Sequence, residues 1–139
     1  MRAQFNREKV LLVLDWCINK FGKSKYWSDF PKLIVYKSMG ITLDSTGTGR
    51  YGQYNDGIIS IYLGHNKTVR FYCNVVLHEY KHYLLNDVEW NHKYKQLKKS
   101  GLSEEDAMFK HPHEAIANKF ADKWQNECYN DLKNKLYKK

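Results

Sequence analysis

No apolar run in this sequence approaches the ~20 residues that a membrane-spanning helix needs. The start, Met1-Arg2-Ala3-Gln4-Phe5-Asn6-Arg7-Glu8, carries an acid, and the apolar piece Val10 to Leu14 is cut short by Asp15. It is too short for a signal peptide, and no small-residue cleavage site follows. The expectation is an intracellular, cytoplasmic protein, or one carried in a virion if the gene belongs to a phage. Cysteine is scarce: Cys17, Cys73 and Cys128 are an odd number, far apart, with no C-x-x-C pair. That excludes a disulfide framework and a cysteine zinc knuckle, and leaves free, mostly buried thiols. Repeats, low-complexity segments and linkers are also lacking, so residues 1–139 read as a single domain.

Acidic residues are few beside basic ones, 15 against 23, and the net charge is +8. Such an excess suits non-specific association with nucleic acid, but no base-reading motif accompanies it. The hydrophobic share of 42% and aromatic share of 15% are those of a folded chain with one core. A monomer is expected. The Lys/Asn/Tyr-rich composition suits a phage or mobile-element gene from an AT-rich genome.

The fold class expected is α+β, in the order helix, small mixed or antiparallel sheet of about three strands, then helices. Val10, Leu11, Leu14, Ile18 and Phe21 recur at helical spacing over Arg7 to Phe21, and Gly22 is a stop signal. Lys32 to Lys37 reads as a strand, with a weaker extended piece at Ile41-Thr42-Leu43. The glycines of Ser45 to Gly57 lack the G-K-[ST] ending of a phosphate loop, and no helix follows them. A hairpin or flexible loop fits better, with Asn55-Asp56-Gly57 as its turn. Ile58 to Leu63 reads as a strand. Thr68 to Leu85 reads as a helix that is apolar almost all round: Val69, Tyr72, Cys73, Val76, Tyr80 and Tyr83 share one face.

That helix contains His78-Glu79-Tyr80-Lys81-His82, an H-E-x-x-H pattern. Residues four apart are offset by only about 40° around a helix, so the two imidazoles can grip one metal ion. Glu79 lies about 100° round from His78, where its carboxylate can reach a water activated by the metal. This is the arrangement of a zinc peptidase, in which the glutamate is general base. Burial sharpens the expectation, because imidazoles facing protein need a partner.

Downstream, Asp87 is expected to cap a helix from Val88 to Lys99, with Trp90, Tyr94 and Leu97 on its apolar side. Ser103-x-x-Asp106 opens a short helical turn. Pro112 suits the first position of a last helix that runs to about Tyr137. The inward stripe of that helix is Ala117, Ala121, Trp124, Cys128 and Leu132. Glu114 stands at the stripe's edge, where an acid costs several kcal/mol unless it is paired or bound to metal. A catalytic zinc takes three protein ligands and keeps one open position. Beyond His78 and His82, the candidates for the third are Glu114, His92, His111 and His113.

Glu114-Ala115-Ile116-Ala117-Asn118-Lys119-Phe120-Ala121 fits E-x-x-A-N-x-F-A. With the upstream H-E-x-x-H, it resembles the ImmA/IrrE-type metallopeptidases, gluzincin-like proteins common in phages and mobile elements. The resemblance covers roughly Tyr54 to Trp124. It implies a minimal zincin-like fold with Zn2+ held by His78, His82 and Glu114, Glu79 as base, and Ala117 and Asn118 in supporting positions. Three features depart from the family: a long lysine-rich insert between His82 and Glu114, Asp122-Lys123-Trp124-Gln125 in place of an apolar ending, and no accompanying helix-turn-helix. The family's cleavage of a repressor is therefore not implied. Trp90-Asn91-His92-Lys93-Tyr94 more weakly resembles SprT-type proteases, which act at DNA and would make His92 the third ligand.

The function expected is hydrolysis of a protein or peptide substrate, with strand Ile58 to Leu63 pairing to it in extended form. His113 is the favoured stabiliser of the oxyanion, with Tyr51, Tyr54 and Tyr83 as other donors. Two non-enzymatic classes compete. One is a structural zinc closed by His111 or His113 as fourth ligand, and the other is a polyanion-binding protein.

Overall fold

The computed structural model describes residues 6–36, 51–64 and 68–136. Helix α1, Arg7–Phe21, begins where Asn6 accepts the backbone N–H of Lys9. Its buried apolar positions are Val10, Val13, Leu14 and Cys17, with Ile18 and Phe21 at the margin. The core-facing stripe is thus rotated slightly from the one expected. Strand β1 is Lys32–Tyr36, β2 is Gly52–Asn55 and β3 is Ile58–Tyr62. The piece Ile41-Thr42-Leu43 and residue Lys37 lie outside the described residues.

The sheet order is β1-β3-β2, so β3 is central. It pairs parallel to β1, Leu33 with Ile59, and antiparallel to β2, Gly52 with Ile61. The mixed α+β architecture expected from the sequence is the one observed. The hairpin turn is Asp56-Gly57, with φ of 51° and 80°. Two successive positive φ values define the mirror-image turn that matches strand twist, which is why Asp-Gly serves there. A Cβ on Gly57 would also stand 3.2 Å from Trp27 Cζ3.

Helix α2, Val69–Leu84, lies at the centre, packed against α1, β2 and β3 and most extensively against the last helix. Thr68 caps its start by accepting the N–H of Phe71. Three tyrosines on α2 are fully buried, and each hydroxyl finds a backbone partner: Tyr72 at Gly64, Tyr80 at the Gly22 carbonyl, and Tyr83 at the Asp29 carbonyl. Aromatic bulk therefore fills this core without stranding a polar atom.

Helix α3 is Asp87–Lys99, α4 is Glu104–Phe109 and α5 is Pro112–Leu136. The cap of α3 is Asn86, which accepts the N–H groups of Val88 and Glu89. Asp87, expected as that cap, is instead the first helical residue, where an acid also suits the helix dipole. Ser103 caps α4 as expected. Along α5, Ala117, Ala121, Cys128 and Leu132 are buried and Trp124 is half-buried. The small residues let α5 approach α2 closely. All three cysteines are free and buried in this core.

Candidate metal centre

The central helix carries His78, Glu79 and His82 on adjoining positions of its inner surface. Their side chains are little exposed: 14% for His78 and 11% for His82, while Glu79 is 7% exposed as a residue. One ligand atom from each lies within 4.8 Å of the others, a spacing that can hold a metal ion. The two imidazole rings stand 5.0 Å apart at 62°.

Glu114 meets the pair from the first turn of α5. His78 Nε2 is 2.8 Å from its Oε1 and His82 Nε2 is 3.1 Å from its Oε2. Each carboxylate oxygen is thus matched to one imidazole. Burial pushes the Glu114 carboxyl upwards, but the bonds and charges of His78 and His82 outweigh it and hold the group well below its ordinary range. Burial disfavours a charged His78, yet Glu114 and Glu79 raise it, and so does a hydrogen bond from its ring to the Asn118 side chain.

Glu79 is backed by the sheet. A Cβ on Gly52 would lie 2.9 Å from Glu79 Oε2 and 2.6 Å from Val75 Cγ1. The backbone of β2 therefore approaches the carboxylate more closely than any side chain would allow. β2 is an edge strand, and among the described residues no strand pairs with its outer side. Tyr62 N–H donates to the Tyr51 carbonyl at 2.9 Å. By antiparallel alternation, Tyr51, Gln53 and Asn55 turn their backbone groups towards β3, and Gly52 and Tyr54 turn theirs outwards. The expectation that Ile58 to Leu63 pairs with substrate is corrected here. That strand is flanked on both sides, and β2 holds the edge beside the site.

The other residues singled out in the sequence fall as follows. His92 is exposed on α3, where its Nε2 meets Gln96 at 3.3 Å. His113 is buried, with Nε2 3.3 Å from Glu89 Oε1. His111 is 1% exposed; its Nε2 donates to the Trp90 carbonyl at 2.9 Å and its Nδ1 accepts the N–H of His113 at 3.0 Å. Burial lowers the His111 pKa. Both its nitrogens are engaged, one by the Trp90 carbonyl and one by the His113 N–H.

Of the hydroxyls expected near the oxyanion, Tyr54 donates to Asp87 Oδ2 at 3.1 Å and Tyr83 to the Asp29 carbonyl at 2.7 Å. The Tyr51 ring packs edge-on against Phe71 at 5.0 Å. Burial raises the pKa of Asp87, and the charges of His82 and His113 pull it the other way. A cleft of about 530 Å³ opens beside Glu114, lined by Phe109, Lys110, Pro112, Ala115 and Asn118 among others.

Sequence reasoning missed Gly52, Glu89 and Trp90. Gly52 had a signal, a glycine within an extended stretch, masked by the glycine-rich segment before it. Glu89 and Trp90 had none.

No protein-family model, no curated protein and no solved structure matches this chain. No helix among the described residues is long and apolar enough to cross a membrane.

Proposed function

We propose that the chain is a zinc-dependent metallopeptidase, with His78, His82 and Glu114 as metal ligands and Glu79 as general base. The observation that carries this reading is the fork of Glu114 across two imidazole Nε2 atoms, at 2.8 and 3.1 Å, with Glu79 beside them. Two nitrogens and a carboxylate are a donor set that suits zinc, and three protein ligands leave a position free for chemistry. Zinc bound there supplies a Lewis acid for the scissile carbonyl and makes water acidic enough to lose a proton near neutral pH.

Glu79 takes that proton as the water oxygen adds to the carbonyl carbon. It then delivers the proton to the amine nitrogen as the C–N bond breaks. Burial and the close β2 backbone hold the carboxylate still for both transfers. An extended peptide pairs along the outer edge of β2, where no strand among the described residues lies, through the outward backbone groups of Gly52 and Tyr54, which brings its carbonyl towards Glu79.

The intact Glu79 favours a peptidase over a structural zinc site, which has no use for a general base. The engagement of His111 by Trp90 and His113 favours an open coordination sphere in the same way.

The test is Glu79→Gln, assayed on an unstructured protein substrate with zinc content measured alongside. Loss of a general base lowers turnover by about 10²- to 10⁴-fold while zinc is retained. Zinc bound at full occupancy with unchanged turnover would sink the mechanism.

A further inference from the structure

Glu114 can reach both histidines only if the first turn of α5 is correctly placed, and that turn has little apolar packing of its own. Pro112, Ala115 and Ile116 are exposed there. Pro112 has no N–H to offer, so the first donor of the helix to be satisfied is the N–H of His113. It is taken by His111 Nδ1 at 3.0 Å, the job usually done by a Ser, Thr, Asp or Asn side chain at a helix start.

The same ring reaches across to α3. Its Nε2 donates to the Trp90 carbonyl, and its face stacks on the Trp90 indole at 4.8 Å and 14°. Trp90 in turn stacks on Tyr94 at 5.1 Å and 10°. Three parallel rings therefore tie the start of α5 to α3. A Ser or Asp cap would satisfy the same N–H, but it would bring neither the stack nor the bond to Trp90. A fully buried histidine with both nitrogens engaged fixes the turn from two sides.

We propose that His111 is a positioning residue for the ligand Glu114: by capping α5 and stacking on Trp90 it sets the carboxylate in register with His78 and His82. This rests on the metallopeptidase reading above, and it goes beyond it by assigning zinc affinity to a residue that does not touch the metal.

The experiment measures zinc affinity of the full chain by competition with a chromophoric chelator, and thermal midpoint in parallel. His111→Ala weakens zinc binding by about 10- to 100-fold, the range seen when groups supporting a ligand are removed. His111→Asn, whose carboxamide oxygen can accept the His113 N–H but which lacks the stack on Trp90, recovers only part of that loss. Leu132→Ala, a cavity near the far end of α5, lowers the thermal midpoint without weakening zinc. Where His111→Ala does not fold, Trp90→Ala replaces it: the stacking face is gone, the carbonyl remains, and zinc binding weakens.

Unchanged affinity in His111→Ala, or in Trp90→Ala where that variant stands in, overturns the proposal. So does a Leu132→Ala loss as large as that of His111→Ala, which would reduce the role to general stability. A wild-type chain that binds no zinc overturns the metal reading itself and is told apart by that control.

Discussion

Helix α2 buries eight of its residues, from Val69 to Tyr83, whereas α3, which follows it after two residues, buries none. Both helices carry a histidine that sequence reasoning offered to a metal. On α2, His78 and His82 are largely covered and meet Glu114. On α3, His92 faces outwards and meets Gln96. An imidazole against protein needs a partner of definite geometry, and one in solvent is satisfied by water. A rigid, buried helix can fix ligand atoms to fractions of an ångström. Helix α3 buries none of its residues, and His92 stands on its exposed side.

The sharpest way to break this contrast is to remove one candidate ligand from each side. Glu114→Ala deletes a direct ligand and should weaken zinc by more than the about 100-fold upper range for supporting groups. His92→Ala should leave zinc content unchanged. Zinc content by elemental analysis decides it, and loss only in His92→Ala would transfer the site to α3 and revive the SprT-like reading.

What could be read in advance followed the same line. The core helices were legible because their apolar spacing, the stop signal at Gly22 and the start at Pro112 agree with the elements that formed. H-E-x-x-H was legible because its geometry is local to one helix. Glu114 was legible as an acid on a core-facing edge and through the E-x-x-A-N pattern. Strand β2 was not, since Gly52-Gln53-Tyr54-Asn55 has no apolar alternation. It is a strand because β3 and α2 hold it, and Gly52 is needed by what lies beneath it rather than by its own backbone. The partners of His111 and His113 were equally hidden, because a contact between α3 and the start of α5 leaves no periodic trace.

Gly52→Ala sharpens the comparison from the sheet side. The new Cβ meets Val75 Cγ1 at 2.6 Å and Glu79 Oε2 at 2.9 Å, so β2 or Glu79 must move. Overpacking of this kind costs typically 1–3 kcal/mol. Turnover should fall with zinc affinity preserved, because His78 and His82 are not displaced. Stability by denaturant titration and activity per bound zinc measure the two effects separately.

A smaller effect is expected from pH on the metal-free chain. The Glu114 pKa is depressed from its ordinary 4.5, so its contribution is present above that value and is lost as pH falls. The His78 pKa is raised from 6.5, so its contribution is full below that value and is lost as pH rises through the folded pKa. The two overlap between pH 4.5 and 6.5, and the chelated protein should be steadiest in that window. Thermal midpoints across pH, with and without Glu114→Gln, test this. A profile that the substitution does not flatten would mean the fork contributes nothing to folding.

The least effect is expected at Val88, which α3 exposes to 77% beside the buried run of α2. An apolar side chain so largely exposed has few contacts to lose, so Val88→Ala should change stability by no more than about 0.5 kcal/mol. Zinc affinity and turnover should not move, although Glu89 and Trp90 are its neighbours, because those two meet His113 and His111 through the Glu89 carboxylate and the Trp90 carbonyl and ring. A drop of several degrees in thermal midpoint would mean that α3 buries this face in solution. The difference between a packed helix and a tethered one would then no longer explain why His78 and His82 form a site and His92 does not.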